Sequence, residues 1–240
     1  ATNDLPQIMV REELVVLTLN SPVSYFNYRG QDMGFQYELA GQYAKKLGLT
    51  LQVKIGKSIS ELLDMLAAGE GDLIAYNVPI TRELKDSVLF CGEETVTHQV
   101  IVQRKNRDNL LTDVTQLIGK EVHVKPGKYY DRLVNLNDEL GGGIIIHEEN
   151  NDSVSIDDLI MQVSNGKILY TVCDNDLAQL NKTYYSNLNV NLAISYDQRS
   201  SWVVRKDSPL LADDINKWYT ENKTSPDFEA SAKRYFEINK

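Results

Sequence analysis

The sequence of 240 residues predicts an α/β protein of two units, each a mainly parallel sheet flanked by helices. Three observations lead there. Short apolar runs of strand length alternate with stretches whose apolar residues recur every three or four positions. The alternation breaks near residue 96 and then restarts, so a second unit of similar size follows the first. Two helical segments are left over at the C-terminal end.

The elements follow in order. Leu14–Leu19 is an apolar run closed by the turn residues Asn20, Ser21 and Pro22, the pattern of a buried parallel strand. Phe35, Leu39, Tyr43 and Leu47 recur at i+4 between Gly34 and Gly48, which reads as an amphipathic helix with a glycine stop. Leu49–Ile55 is the next strand. Ser58 and Glu61 have capping-box spacing ahead of Leu62, Leu63, Leu66 and Ala67, and that helix ends near Gly69 and Gly71. Asp72–Tyr76 makes a third strand. Val96–Gln103 reads as one long strand running into the charged stretch Arg104–Asp108.

The second series is strand Glu121–Val124, helix Lys128–Leu136, strand Gly143–His147, helix Ile156–Val163, strand Ile168–Val172 and helix Asn175–Leu180. Val190–Ser195 and Ser201–Arg205 are further strands. Leu210–Glu221 and Phe228–Phe236 are the closing helices, with Pro226 placed to start the second. Two units joined by extended segments suggest two lobes and a cleft, a preferred location for small ligands.

Composition narrows the function. The chain is 42% apolar and carries 34 acidic against 25 basic residues, a formal charge of −9 that repels phosphate backbones and anionic headgroups. Nucleic acid and membrane surfaces are therefore not expected partners. The longest apolar runs, such as Leu14–Leu17 and Ile144–Ile146, fall far short of the ~20 residues that span a bilayer. The opening residues, Ala1 to Pro6, lack a basic segment followed by an apolar one, as a secreted chain does after signal removal. Cys91 and Cys173 match no zinc or redox spacing and read as two separate buried thiols. Low cysteine content suits the cytosol and the bacterial periplasm equally.

Several chemistries fail on inventory. Neither Gly69-Glu70-Gly71 nor Gly141-Gly142-Gly143 opens a helix after a strand, so no dinucleotide or phosphate-loop fingerprint is present. His98, His123 and His147 are spread along strand-like segments and read as core or solvated side chains rather than metal ligands. No Gly-x-Ser-x-Gly elbow occurs. The pairs Glu93-Glu94, Asp138-Glu139, Glu148-Glu149, Asp157-Asp158 and Asp213-Asp214 read as solvated loops and helix starts, because adjacent acids point apart. No cofactor or metal is expected.

Four ordered stretches carry a family resemblance. Ser21–Gly30, rich in aromatics, leads into Met33-Gly34-Phe35-Gln36-Tyr37-Glu38-Leu39-Ala40; next come Gly69–Ala75, then Pro79-Ile80-Thr81-Arg82-Glu83 through Val88-Leu89-Phe90, and finally Gly166–Asp174. Together they resemble the bacterial extracellular solute-binding proteins of the amino-acid-binding type. Tyr170–Asn175, leading to Leu180–Leu188, is more narrowly similar to the solute-binding-like domain of the membrane-bound lytic murein transglycosylase F family.

The resemblance implies the periplasmic binding protein type 2 fold. Lobe 1 would be residues 1–95 plus 197–240 and lobe 2 residues 96–196, with hinge segments near 96–100 and 193–197. It also implies a periplasmic sensor domain that closes on a small amine-bearing ligand: an amino acid, a peptide or a muropeptide fragment. On this reading the chain is the regulatory domain of a lytic transglycosylase and is expected to be a monomer, tethered to a membrane through parts outside it. The alternative is a free-standing receptor delivering solute to an ABC permease. Lytic transglycosylases use a Glu followed by Ser, and no Glu here is followed by Ser, so this chain is not expected to be an enzyme.

The resemblance carries site residues over one by one. Asp174 matches the aspartate that pairs with the ligand ammonium; the plain alternative is a helix N-cap. Tyr25 and Phe26, with Tyr28, lie where the family stacks an aromatic on the ligand. Asn77 replaces a glycine whose carbonyl meets the ligand amine, and Thr81 keeps the family threonine. The family's carboxylate clamp is lost, with Pro79 and Leu84 at the positions of a threonine and an arginine. Arg82 lies two positions early, and a solvent-facing role suits it better. Lys128 can supply a replacement cation and Tyr129 a wall, or both simply open a surface helix. Cys91 sits where the family has serine, and Cys173 adjoins Asp174; a disulfide between them is the minor alternative.

Overall fold

The computed structural model describes residues 3–105, 108 and 110–236. The chain runs α1 (Leu5–Arg11), β1 (Glu13–Leu19), β2 (Phe26–Tyr28), β3 (Gln31–Met33), α2 (Phe35–Leu47), β4 (Thr50–Gly56), α3 (Ile59–Ala67), β5 (Leu73–Pro79), α4 (Arg82–Lys85) and β6 (Val88–Thr97). It continues through β7 (Gln99–Arg104), a single 3-10 turn (Val114–Leu117), β8 (Glu121–Val124), α5 (Lys128–Glu139), β9 (Ile145–Glu148), α6 (Ile156–Ser164), β10 (Thr171–Asp174), α7 (Asn175–Tyr184) and β11 (Leu188–Asn189). It closes with β12 (Gln198–Arg205), α8 (Pro209–Asn222) and α9 (Pro226–Phe236). Two compact units result: Ala1–Val96 with Gln198–Lys240, and Thr97–Asp197. The chain passes from one to the other twice.

The first unit is a five-stranded sheet in the order β4-β1-β5-β12-β6. β1 is parallel to both β4 and β5, and its five central residues are buried, as a strand covered on both faces requires. β12, supplied by the returning chain, runs antiparallel to β5. One apolar layer gathers Leu14, Leu39, Tyr43, Leu73, Trp202 and Trp218; the other gathers Leu17, Leu62, Leu66, Ile74 and Val203. Asp4 ties the chain ends together. Its carboxylate accepts from the Leu5 amide at 2.7 Å and from the Leu211 amide at 2.8 Å, capping both α1 and α8. Helix α1 was not foreseen, although Asp4 and Pro6 are a capping residue and a first-turn proline.

In the second unit β7 lies between β10 and β11, antiparallel to both, while β8 and β9 pair in parallel. A parallel bridge between Val122 and Tyr170 links the two parts. Its core holds Ile101, Leu117, Val122, Leu133, Ile160, Val163, Tyr170 and Val172.

Four expectations need correction. The long strand Val96–Gln103 is two strands, β6 ending at Thr97 and β7 starting at Gln99. His98 instead exchanges backbone and side-chain bonds with Asn175: its amide donates to Asn175 Oδ1 at 3.1 Å and its carbonyl accepts from the Asn175 amide at 2.8 Å. Val190–Ser195 is not a strand but keeps one bridge, Val100 to Ala193. There the Asn191 amide donates to Asn189 Oδ1 and the Arg132 guanidinium to the Ile194 carbonyl, side-chain bonds that compete with a ladder. The strand placed at Ile168–Val172 starts at Thr171, because both Lys167 and Ile168 donate to the Gln162 carbonyl and wrap the end of α6. Ser58 caps α3, but Glu61 accepts from the Lys57 amide rather than completing the box. Of the charged stretch after β7, Asn106 and Arg107 lie outside the described residues.

Candidate functional site

In the second unit β10 ends at Asp174 and α7 starts at the next residue, so Asp174 occupies the N-cap position. Its side chain makes no cap bond there. Instead the carboxylate pairs with Lys128 Nζ at 2.6 Å. Lys128 is the first residue of α5, entered through Gly127, whose φ of 113° only glycine adopts without strain. Gly127 offers no side-chain cap, so the α5 N-terminal end keeps its partial positive charge beside the lysine. The Lys128 ammonium also lies 5.3 Å from the centroid of the Tyr129 ring. That ring is buried in the core, and its hydroxyl accepts from the Asp174 amide at 3.3 Å. Thus the lysine and tyrosine that open α5 both reach the end of β10.

Further groups surround this pair. Gln99, on β7 opposite Asp174 in the ladder, donates through Nε2 to the Lys128 carbonyl at 3.4 Å. Its Oε1 is buried with no hydrogen-bond partner among the described residues. Burial, then the charge of Asp174, pushes the Asp176 carboxyl above its ordinary value. Asp157 is likewise raised by burial, while its bond from Asn181 pulls the other way. The Lys128 side chain is 49% exposed and that of Asp174 20%, so the pair remains open to solvent.

The remaining candidates divide between the two units. Cys173 is fully buried in the core of the second unit, and burial holds its thiol well above the usual range. Cys91 is buried in the first unit, and both cysteines are free thiols. Asn77 is half-buried on β5 and accepts from Gln36 Nε2 at 3.0 Å; Gln36 Oε1 in turn accepts from the Trp202 indole at 2.6 Å. These residues line a pocket with room for about one water, together with Glu93 and Tyr219. Glu93 therefore departs from the solvated reading of the acidic pairs, since burial raises its carboxyl while a bond from Tyr219 lowers it. Asp214 departs too, accepting from Tyr43 at 2.7 Å.

Thr81 caps the short helix α4, its hydroxyl accepting from the Leu84 amide at 3.2 Å, and Arg82 is exposed on the following turn. Tyr25 donates to Asp32 at 2.8 Å and meets Tyr37 edge-on, whereas Phe26 packs on the core. Sequence reasoning did not single out Gln36, although it lies within a motif, nor Gln99, Asp32 and Asp176, for which no motif gave a signal.

The histidines separate into two environments. His98 lies 3.4 Å from Asp197. His123 and His147 face each other in the β8–β9 register with rings stacked at 4.5 Å, and His147 bonds Glu121 at 3.0 Å. Among the described residues no cluster of three metal-type ligands forms, and no helix is long and apolar enough to cross a membrane.

Comparison with known proteins bears on this geometry. Residues 14–238 match the family described as bacterial extracellular solute-binding proteins, family 3. Membrane-bound lytic murein transglycosylase F of Desulfosudis oleivorans is 31% identical over 226 residues, covering 93% of this chain and 48% of that protein. Its namesake from Pseudomonas fluorescens is 28% identical over 239 residues, covering 98% and 48%. The chain therefore spans about half the length of the curated relatives it matches. Among solved structures, the arginine-bound form of a truncated ArgBP from T. maritima is 26% identical with a TM-score of 0.71, covering 90% of this chain and 99% of that truncated chain. An ancestral cationic amino acid solute-binding protein, 22% identical with a TM-score of 0.80 and covering 97% and 99%, shares the fold.

Proposed function

The chain belongs to the bacterial extracellular solute-binding proteins, family 3, and from that premise we propose that it binds a small amine-bearing ligand through Asp174. One observation carries the reading. Asp174 sits at a strand end with its carboxylate spent on a cation instead of on the helix cap that its position offers. A carboxylate so held, partly exposed and next to a buried tyrosine, is suited to pairing with a ligand ammonium.

The ligand is an amino acid, a peptide or a muropeptide fragment. Asn77, Thr81, Arg82 and Tyr25 belong to the first unit, where Thr81 and Tyr25 already hold partners. Binding shifts a hinge-type population at the two chain crossings. The likeness to transglycosylase F supports a periplasmic sensor role beside a lytic domain. The likeness to arginine-bound ArgBP supports the second reading, a free-standing receptor for an ABC permease. A lysozyme-like sequence in frame with this one favours the sensor, and a neighbouring permease gene the receptor.

A thermal-shift and calorimetry panel of amino acids and cell-wall peptides tests the site. A hit that binds the wild type is expected to bind Asp174→Asn at least about 30-fold more weakly, as losing one partner of a close charge pair costs about 2–5 kcal/mol. Unchanged affinity in that variant contradicts the assignment.

A further inference from the structure

The first unit carries a groove of about 430 Å³ between the C-terminal halves of α2 and α8 and the start of α9. That volume lies within the range of about 300–1,000 Å³ usual for small-ligand sites. Helical spacing builds both walls. Gln42, Lys45 and Lys46 recur at i, i+3 and i+4 on α2, and Trp218, Glu221 and Asn222 do so on α8, so each triad shares one face of its helix. The walls are cross-linked: Lys46 Nζ pairs with Glu221 at 3.2 Å, and the Asn222 carboxamide donates to Gln42 Oε1 at 2.8 Å. Ser225, in the turn between α8 and α9, donates to Asn222 Oδ1 at 3.0 Å. Trp218, only 3% exposed, closes the floor, wedged between Tyr43 and Trp202 with ring centroids 5.1 and 6.2 Å away. The groove is therefore ordered in advance, which lowers the entropy lost on binding.

The lining selects the ligand chemistry. Its charges cancel, Lys45 and Lys46 against Glu221 and Asp227, so a ligand of either net charge meets a like charge for each opposite one and gains little. Lys45 and the Asp227 carboxylate are exposed and have no ion-pair partner among the described residues. An ammonium only donates and a carboxylate only accepts, whereas a hydroxyl does both. The Asn222 carboxamide keeps a second N–H and Gln42 Oε1 a second lone pair. The lysine stems add apolar surface beside these polar groups. We propose that this groove is a binding site for a neutral saccharide, free or within a glycan, whose hydroxyls accept from Lys45 and Asn222 and donate to Asp227 and Gln42. It belongs wholly to the first unit and is independent of Asp174, which lies in the second.

The test uses four trisaccharides: maltotriose, with hydroxyls alone; triacetylchitotriose, neutral with acetamido groups; and, as charged counterparts, trigalacturonate and the glucosamine trimer. Each is titrated into the 15N-labelled chain, followed by amide chemical shifts, for the wild type, the double variant Lys45→Ala/Asp227→Ala, the charge-keeping variant Lys45→Arg/Asp227→Glu, and Asp174→Asn. A neutral trimer is expected to give saturable shifts centred on Gln42, Lys45, Asn222 and Asp227, and to bind more tightly than either charged trimer. Removing both side chains is expected to weaken it at least about tenfold, since two charge-assisted hydrogen bonds are lost. The charge-keeping variant and Asp174→Asn are expected to bind as the wild type does. Tighter binding of triacetylchitotriose than of maltotriose assigns an acetamido contact, and equal binding assigns hydroxyls alone; both uphold the proposal. It is overturned if neither neutral trimer gives saturable shifts, if the shifts lie outside the groove, if a charged trimer binds more tightly, or if the Lys45→Ala/Asp227→Ala chain binds unchanged. None of these outcomes bears on the ammonium site, which the amino-acid and peptide panel tests separately.

Discussion

At the scale of single residues, the site is a matter of which charges lack water and which have partners. Asp174 and Lys128 satisfy each other, whereas Asp176, two positions on, accepts from the Leu177 amide at 2.7 Å, which together with its own amide and the Lys128 charge does not outweigh its burial. Its raised folded-state value means that this carboxyl favours the fold while protonated and loses that contribution as pH rises through the folded value. Asp176→Asn keeps the acceptor for Leu177 and removes the charge. It is expected to melt at a higher temperature than the wild type at pH 7, with the difference shrinking as pH falls toward 3.8, the ordinary value. Scanning calorimetry across that range checks this, and a variant less stable at pH 7 contradicts it. Asp174 was legible in sequence because a motif surrounds it. Gln99 and Asp176 were not, because their relevance comes from burial and from a strand pairing between residues far apart in the chain.

At the scale of elements, end chemistry made α2 and α3 legible, whereas α1 went unread despite its capping Asp4 and first-turn Pro6. Ser155 caps α6 with Asp158 closing the box, and Gly48 ends α2 in the left-handed conformation. Gly34 is the sharper case. Its φ of 127° excludes side chains, and a Cβ there would lie 2.2 Å from the Ser24 carbonyl oxygen. The close approach lets the Val23 and Ser24 carbonyls accept from the Gln36 and Tyr37 amides, which caps α2 without a side chain. Gly34→Ala combines backbone strain with a backbone clash, so a loss of roughly 2–5 kcal/mol is expected in urea unfolding; a loss below ~1 kcal/mol contradicts this account of the turn. Strands with side-chain competition, such as Val190–Ser195, were misread because periodicity does not register an Asn189 side chain bonding the backbone two residues on.

For the whole molecule, the chain leaves the first unit after Val96 and returns to it at Gln198. What periodicity could not convey, and only the family resemblance implied, is the return itself: β12 enters the first sheet between β5 and β6, and Asp4 caps both the first helix and α8. Such pairings join residues from opposite ends of the chain and leave no local trace. The family membership and the fold make this a solute-binding domain, and the Asp174–Lys128 pair is its proposed point of recognition. The most direct test is amide chemical-shift mapping of the 15N-labelled chain titrated with the tightest ligand of the amino-acid and peptide panel. The largest perturbations are expected at Asp174, Asn175 and Asp176, at Lys128, Tyr129 and Tyr130, and at Gln99. Perturbations confined instead to the His123–His147 edge, or to the groove lined by Gln42, Lys46 and Asn222, would contradict the account.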